Sequence, residues 1–329
     1  MPNRPGPPLT GGTPLRGLDE EAILGRILPT FPQSADLIVP PGDDAAVLAT
    51  HDRTIATTDT VVLGQDWLDD WSSGADIGHK VIAQNLADVA AMGGRPTGVL
   101  LTLVADPDIS IEWVQDLAHG IGAACSAVGI AVLGGDLSSA PAGVVMVSIT
   151  ALGVLDGAPV LRSGARPGDL IAVNGSLGLA AAGLRLLVAD RAERHTTAVD
   201  RQRRPQPPLP AGPEAAAAGA TAMLDVSDGL LRDGGRIAQA SGVVLDLDPD
   251  ALEVDVAELT EALGRESARE CVLGGGEEHS LLATFPPGRM PPGWRPIGLV
   301  RAPLAGETAG ILVGGVRERI SGWDHFKRD

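Results

Sequence analysis

The chain is organised around the stretch Pro41-Gly42-Asp43-Asp44-Ala45-Ala46-Val47-Leu48, in which two adjacent carboxylates follow a Pro-Gly turn and precede an apolar run. The β-branched segment 54–60 comes shortly afterwards and predicts a strand that delivers hydroxyls and the carboxylate of Asp59. Neighbouring carboxylates repel each other unless a cation lies between them, and a hard divalent ion is the usual occupant. A solvated turn is the alternative for this pair alone, but similar motifs recur along the chain.

Length and composition narrow the class of protein. The 329 residues suffice for two domains of about 150 residues each. Abundant alanine, glycine and valine with few aromatic residues favour a mixed α/β fold. A net charge of −17 argues against a nucleic-acid partner, because a phosphate backbone binds basic surfaces. It does not exclude a phosphate substrate, since bound Mg²⁺ inverts the local charge.

Targeting signals and a disulfide framework are not expected. Cys125 and Cys271 are too few for such a framework and form no CxxC pair, which fits a reducing compartment. Residues 1–12 are rich in Pro and Gly without the apolar core of a signal peptide, and no apolar run reaches spanning length. We therefore expect a cytoplasmic protein with no membrane partner.

Residues 77–92 have the apolar periodicity of a helix, which Gly93-Gly94 ends. Within it, Gln84, Asn85 and Asp88 share one face by their i,i+3 and i,i+4 spacing. An ordinary exposed stripe is the alternative. The patch lies amid apolar neighbours, and this favours a face that binds a ligand.

Two further predicted strands end in carboxylates. One runs into Gly134-Gly135-Asp136, where glycine lets the backbone approach a ligand closely. The segment 222–231 repeats the pattern, with Asp225, Ser227 and Asp228 ahead of a helix. Asp228 has the alternative role of a helix N-cap, but that role does not account for Asp225.

The composition changes to Gly, Pro and Ser around residues 153–168, where we predict the domain boundary. The expected organisation is a disordered lead (1–17), an N-terminal domain (18–155) and a C-terminal domain (156–329). Residues 189–213, basic and then Pro-rich, are predicted to form a connecting loop.

Motifs of the common nucleotide and metal enzymes are absent from the sequence. It contains no GxxxxGK[ST], GxGxxG, HExxH or GxSxG, and its six histidines are scattered. Oxygen-only ligands select Mg²⁺ or Mn²⁺, and such ions hold the charge of a transferring phosphoryl group. The candidate oxygen ligands are Asp43, Asp44, Thr57, Thr58, Asp59, Asp88, Asp136, Asp225 and Asp228. Arg162 is a candidate for a phosphate oxygen, with the cap of a surface turn as its alternative.

In these segments the sequence resembles thiamine-monophosphate kinase, a family of the ATP-binding superfamily that includes aminoimidazole ribonucleotide synthetase. Seven segments between about Glu20 and Phe326 carry the resemblance in order: Gly42-Asp43-Asp44, Thr57-Thr58-Asp59, Asn85-Leu86-Ala87-Asp88, Gly134-Gly135-Asp136, Arg162-Ser163-Gly164-Ala165-Arg166-Pro167-Gly168-Asp169, Asp225-Val226-Ser227-Asp228-Gly229-Leu230 and Gly275-Gly276-Glu277. The resemblance implies a two-domain, synthetase-like α/β (α+β) fold. Its N-terminal half would form a homodimer through its sheet, and its C-terminal half would close over the nucleotide.

The implied reaction transfers the γ-phosphoryl group of ATP directly to thiamine monophosphate, giving thiamine diphosphate and ADP, with several Mg²⁺ ions and no covalent phospho-enzyme. The resemblance also assigns roles residue by residue. The Mg²⁺ ligands would be Asp44, Thr57, Thr58, Asp59, Asp88, Asp136, Asp225 and Asp228. Those expected to be catalytic are Asp88, Asp136 and Asp228. ATP would contact Gly135, Asp136, Arg162 and Ser227. The acceptor would contact Asp66, Glu277 and Trp323, the last by stacking on the thiamine part.

Departures from the family pattern fall mostly around the acceptor. Asp66-Trp67 stands where the family has His-Phe, Ala87 replaces Ser, Leu137 replaces Thr, and Glu278-His279-Ser280 replaces Asp-Tyr-Glu. A related kinase or synthetase acting on another small phosphorylated acceptor therefore stays open. Selenophosphate synthetase is disfavoured because no cysteine precedes Cys125. A non-catalytic metal-binding module would keep its ligands in one loop, whereas these ligands span both halves of the chain.

Overall fold

The computed structural model describes residues 6–34, 37–39, 47–50, 53–320 and 322. Its strands are β1 (Leu37–Val39), β2 (Val47–Leu48), β3 (Thr54–Val62), β4 (Arg95–Ala105), β5 (Ala131–Ser139), β6 (Val145–Val154), β7 (Leu170–Asn174), β8 (Ala222–Asp225), β9 (Val244–Leu247), β10 (Leu281–Phe285), β11 (Arg295–Arg301) and β12 (Gly310–Val313). Its α-helices are α1 (Glu20–Ile27), α2 (Gly74–Ala91), α3 (Ile111–Val128), α4 (Leu179–Val188), α5 (Thr196–Arg203), α6 (Ala211–Ala218), α7 (Leu230–Ser241), α8 (Pro249–Leu263) and α9 (Arg265–Gly274). The predicted mixed α/β class is confirmed.

The chain divides into two compact units, one made of Met1–Val89 and Pro96–Val154, the other of Ala90–Arg95 and Leu155–Asp329. In the first unit, four strands form a sheet in the order β3-β6-β4-β5, with β3 and β6 antiparallel and β4 and β5 parallel. In the second, six strands are ordered β12-β9-β11-β7-β10-β8. There β10 is antiparallel to both β7 and β8, and β12 runs parallel to β9.

In the first unit, α2 and α3 pack closely because glycine lies at their contact. A Cβ atom on Gly120 would lie 2.2 Å from the carbonyl oxygen of Ala75, a distance that no side chain tolerates. On the same helix α3, Trp113 is fully buried and stacks on Trp67, with ring centroids 5.4 Å apart. This packing holds α2, the helix of the predicted ligand-binding face, in place.

Residues 6–17, which belong to the segment predicted from composition to be a disordered lead, contact the residues just before α3. The Leu15 amide donates to the carbonyl oxygen of Ile109 at 3.0 Å, and the Leu9 carbonyl accepts from the Ser110 amide at 2.7 Å. The side chains of Leu9 and Leu15 are buried. Two leucines thus bury apolar surface for this Pro/Gly-rich segment, and its backbone pairs with the residues just before α3.

Residues 189–213 are also not the connecting loop predicted from composition, because they contain α5 and the start of α6. The sequence of α5 is mostly polar, yet Ala198 and Val199 on it are buried, Ala198 within the core of the second unit. Most helices in proteins depend on such packing rather than on intrinsic propensity. Tertiary contacts therefore form a helix that the composition does not predict.

The core of the second unit is built mainly from aliphatic side chains. Ile171 on β7, Leu245 on β9 and Leu282 on β10 are fully buried. Phe285 and Trp294 add an edge-to-face aromatic pair with ring centroids 5.1 Å apart. Among the helices of the described residues, none combines the length and apolarity needed to span a membrane.

Candidate active site

The first group of predicted site residues lies where β3 faces α2. Thr57 Oγ1 donates to Asp88 Oδ2 at 2.7 Å, and the Asp59 amide donates to Asn85 Oδ1 at 2.9 Å. Side chains alternate along a strand, so Thr57 and Asp59 share one face of β3. The three-residue spacing places Asn85 and Asp88 on one face of α2. The structure therefore brings Thr57, Asp59 and Asp88 together.

Asn85 links the two elements of this group. Its side chain is fully buried, and while Oδ1 accepts from β3, Nδ2 donates to the carbonyl oxygen of Val81 one turn earlier at 2.8 Å. Both ends of the amide are thus satisfied, as a buried polar group requires. Asn85 fixes the position of α2 along β3, and hence the position of Asp88.

Thr58 lies on the other face of β3. Its hydroxyl donates to the carbonyl oxygen of Ile149 at 2.8 Å and lies 3.4 Å from Thr150 Oγ1. The strand's alternation points Thr58 away from Thr57 and Asp59. The structure thus does not bring Thr58 to the group that β3 and α2 form.

Gly135 and Asp136 lie on the exposed half of β5. Asp136 Oδ2 accepts from Ser138 Oγ at 2.8 Å, and Asp136 pairs in register with Thr102 of β4. Strands β3 and β5 are opposite edges of the four-stranded sheet, about 14 Å apart at roughly 4.8 Å per strand. Within one copy of the first unit, Asp136 is therefore not brought to Asp59 and Asp88.

Asp66 closes the turn that follows β3. Its Oδ2 accepts from the Val62 amide at 2.8 Å, and its own amide donates to the Val62 carbonyl at 3.0 Å. The next residue, Trp67, is buried in the stack with Trp113. The carboxylate that replaces the family's histidine thus stabilises its own turn.

In the second unit, the predicted residue Asp225 ends β8, and Ser227 and Asp228 lie between β8 and α7. The N-cap of α7 is Gly229, with φ 116° and no side-chain cap, so Asp228 does not have the alternative N-cap role. Instead Asp228 Oδ2 lies 2.5 Å from Arg236 Nη2 and 3.6 Å from Arg232 Nε. This part of the chain therefore presents a carboxylate together with two guanidinium groups.

Asp233, in the first turn of α7, is a residue that sequence reasoning missed. Its Oδ2 accepts from the amides of Asp228 at 2.8 Å and Gly229 at 3.0 Å, and its Oδ1 lies 2.5 Å from Arg236 Nη1. Burial raises the pKa of this fully buried carboxyl to about 7. The spacing of Asp233 and Arg236 on one face of a helix is the signal that was available for it.

Glu277 lies in the loop before β10, with left-handed backbone (φ 63°) that is uncommon for a residue with a side chain. Its amide donates to the carbonyl oxygen of Ser227 at 2.8 Å, and its Oε2 accepts from Gln202 Nε2 at 2.8 Å. The loop is thus tied to the turn that precedes α7. Gln202 was not predicted, because nothing in the sequence relates it to a residue so far along the chain.

The residues that replace the family's Asp-Tyr-Glu stabilise this loop from inside. Glu278 is buried, and its carboxylate accepts from Ser176 Oγ at 2.5 Å and from the Ala180 amide at 2.9 Å. Burial raises the pKa of the Glu278 carboxyl, against the effect of these donors. His279 Nδ1 lies 3.0 Å from Asp225 Oδ2, and both side chains are buried.

Arg162 is the remaining predicted site residue within the part of the chain that the structure describes. The Arg162 side chain is exposed, and its carbonyl oxygen accepts from Ser241 Oγ at 2.9 Å. Asp44, its neighbour Asp43 and Trp323 lie outside the described residues.

The donor chemistry fits a hard divalent cation, since carboxylate and hydroxyl oxygens are the ligands that Mg²⁺ prefers. Among the described residues, no three His, Cys, Asp or Glu side chains are grouped as a metal site. In the first unit, Thr57, Asp59 and Asp88 supply two carboxylates and one hydroxyl. Mg²⁺ usually keeps waters and binds substrate phosphates, so an incomplete protein cage suits it.

Comparisons with known proteins identify the family of the chain. Residues 42–155 match the AIR synthase related protein, N-terminal domain, and residues 166–290 match the AIR synthase related protein, C-terminal domain. These matches define the chain as an AIR synthase-related protein. The thiamine-monophosphate kinase of Mycobacterium tuberculosis is 42% identical over 323 residues, which is 95% of this chain and 93% of that protein. The corresponding enzyme of Corynebacterium glutamicum is 40% identical over 270 residues, 79% of this chain and 80% of the relative. The chain therefore belongs to the thiamine-monophosphate kinase family.

Solved structures lead to the same family. A thiamine-monophosphate kinase from Stenotrophomonas maltophilia K279a superposes with a TM-score of 0.76 at 31% identity, covering 91% of this chain and 96% of the other. AaThiL complexed with AMPPCP and TMP has a TM-score of 0.76 at 30% identity, and the match covers 83% of this chain and 87% of the other. Hydrogenase maturation protein HypE, at 18% identity and a TM-score of 0.70, shares the fold.

Proposed function

We propose that this chain phosphorylates thiamine monophosphate with ATP, giving thiamine diphosphate and ADP. The observation that carries the proposal is the pairing of β3 with α2, where Thr57 and Asp88 bond at 2.7 Å beside Asp59. Family membership supports the acceptor, because relatives similar over most of the chain are thiamine-monophosphate kinases. A structural neighbour bound to AMPPCP and TMP supports ATP as co-substrate.

In the proposed reaction, a phosphate oxygen of thiamine monophosphate attacks the γ-phosphorus of ATP in line, and the bond to the β–γ bridging oxygen breaks. When bound, Mg²⁺ (or Mn²⁺) neutralises charge on the transferring phosphoryl group. The residues that would hold the ions are Asp44, Thr57, Asp59, Asp88, Asp136, Asp225 and Asp228. Thr58 and, within one copy of the chain, Asp136 are the members of the predicted set least supported by their placement.

The second unit would contribute contacts to phosphate and acceptor. Arg162, with its exposed side chain, and Ser227 would contact ATP. Glu277, held in left-handed backbone, would contact the acceptor, and Trp323 would stack on it. Backbone strain of this kind clusters at functional sites, because the surrounding structure must hold it in place.

The assay follows ADP release and, separately, thiamine diphosphate by chromatography. The acceptors are thiamine monophosphate, unphosphorylated thiamine and a panel of small phosphate monoesters. We expect turnover with thiamine monophosphate alone. ATP turnover with another monoester and none with thiamine monophosphate would replace the acceptor and leave the phosphoryl-transfer chemistry. No ATP turnover with any acceptor would refute the proposal as a whole.

We also propose a homodimer formed through the four-stranded sheet of the first unit. The face of β3 that carries Thr58 is exposed, and Leu100 on β4 is 41% exposed, so this sheet presents a surface that solvent reaches. Light scattering is expected to give a dimer for the wild type and a monomer for Leu100→Arg. A monomeric wild type at micromolar concentration would contradict the proposal.

A further inference from the structure

The sequence of helix α5 has low intrinsic helix propensity. Packing against α4 sets its position. A Cβ atom on Gly183 of α4 would lie 2.1 Å from the carbonyl oxygen of Ala198 on α5, so the two backbones are in direct contact. Ala198 and Val199 are buried at that contact. This close packing fixes the position of α5 against α4. It thereby also fixes where the side chains of the last turn of α5 begin.

Gln202, in that last turn, is 5% exposed, and its Nε2 donates to Glu277 Oε2 at 2.8 Å. A buried amide requires a partner, and glutamine is one that donates without carrying charge. An arginine or lysine at this position would neutralise the carboxylate. A glutamine orients the carboxylate and leaves its negative charge in place.

Glu277 is constrained at its backbone as well as at its side chain. Its left-handed φ of 63° is maintained by the bond from its amide to the carbonyl oxygen of Ser227. The loop is also close to α4, because a Cβ atom on Gly275 would lie 2.4 Å from Ala181 Cβ. Helix α4 thus supports both the loop of Glu277 and the helix that bonds its carboxylate.

We propose that Gln202 is a positioning residue for the acceptor, which it acts on by orienting the Glu277 carboxylate toward a cationic group such as the thiazolium ring. This inference rests on the proposed function, in which Glu277 contacts the acceptor. A neutral donor matches that task, because the amide of Gln202 orients the carboxylate without itself forming an ion pair with it. The segment that composition predicts to be a connector thereby becomes part of acceptor recognition.

The test compares Gln202→Met, which keeps the length of the side chain and removes its donors, with Gln206→Met, the same change at an exposed position of the same segment. We expect Gln202→Met to raise KM for thiamine monophosphate by roughly tenfold, with KM for ATP and kcat within about twofold. Gln206→Met should match the wild type. Equal changes in both KM values would show a general structural role and overturn the proposal.

A double-mutant cycle separates positioning from packing. In a Glu277→Gln background, the further change Gln202→Met should alter KM for thiamine monophosphate by less than about twofold, because the oriented carboxylate is already gone. A full tenfold effect in that background would overturn the proposal. If Glu277→Gln alone leaves this KM unchanged, Glu277 has no acceptor role and the proposal fails with it. A wild type that forms no thiamine diphosphate would instead refute the proposed function.

Should Gln202→Met not fold, a swap variant replaces it. Gln202→Glu combined with Glu277→Gln keeps one amide–carboxylate pair in the same place and moves the negative charge onto α5. We expect this variant to fold with the thermal stability of the wild type and to show the raised KM for thiamine monophosphate. A KM equal to that of the wild type would refute the inference.

Discussion

Replacing Asp88 by asparagine tests the group formed by β3 and α2 most directly. The change keeps the shape of the side chain and an oxygen that accepts from Thr57, and it removes one negative charge. If Asp88 holds a cation at the transferring phosphoryl group, kcat should fall at least about 100-fold, the scale of one electrostatic contact with developing charge. Saturating Mg²⁺ and ATP should not restore the rate.

The bond from Thr57 and the dipole of α2 contribute to the stability of the variant in opposite directions. Weakening the bond from Thr57, now to a neutral acceptor, costs about 1 kcal/mol. Asp88 lies in the last turn of α2, where a negative charge opposes the helix dipole, so its removal gains about 0.3–1 kcal/mol. The net change is within about 1 kcal/mol, and Tm should move by no more than about 4 °C.

The matched control is Glu261→Gln, which removes an exposed carboxylate near the C-terminal end of α8. It changes the same helix-end electrostatics and should leave kcat unchanged. The assay is steady-state formation of thiamine diphosphate, with Tm measured on the same samples. Asp88→Asn turnover within about threefold of the wild type would refute the reasoning. So would a Tm loss above about 8 °C, because the rate loss would then reflect unfolding.

Three further predictions follow. Removing divalent ions with EDTA should abolish activity without a cooperative unfolding transition, and millimolar Mg²⁺ or Mn²⁺ should restore it; an unfolding transition would make the ions structural. Gly183→Ala should destabilise the protein by about 1–3 kcal/mol in chemical denaturation, because its Cβ would lie 2.1 Å from Ala198 O, and a neutral result would mean that α5 shifts freely. Trp323→Ala should raise KM for thiamine monophosphate by about tenfold through lost stacking and cation–π energy, with KM for ATP unchanged; equal changes would contradict stacking on the acceptor.

Local patterns in the sequence predicted most of the elements on which the site is built. The periodicity of residues 77–92 predicts the helix that the structure contains as α2 (Gly74–Ala91), and the β-branched segment 54–60 lies within β3. The three-residue spacing of Asn85 and Asp88 places both on one face of α2, where both bond to β3. Such features follow from the periods of 3.6 residues in a helix and 2 residues in a strand. These periods can be recognised in a short segment without knowing what the segment contacts.

Tertiary structure alone decided which polar residues meet. Thr57 and Thr58 are chemically equivalent neighbours, yet β3 turns Thr57 toward α2 and Thr58 toward the carbonyl oxygen of Ile149. The bond of Gln202 to Glu277 joins residues 75 positions apart. Helix α5 can pack this closely on α4 because Gly183 has no side chain. A sequence shows which groups are available. Long-range packing decides their partners, because burial forces each polar group to find one within reach.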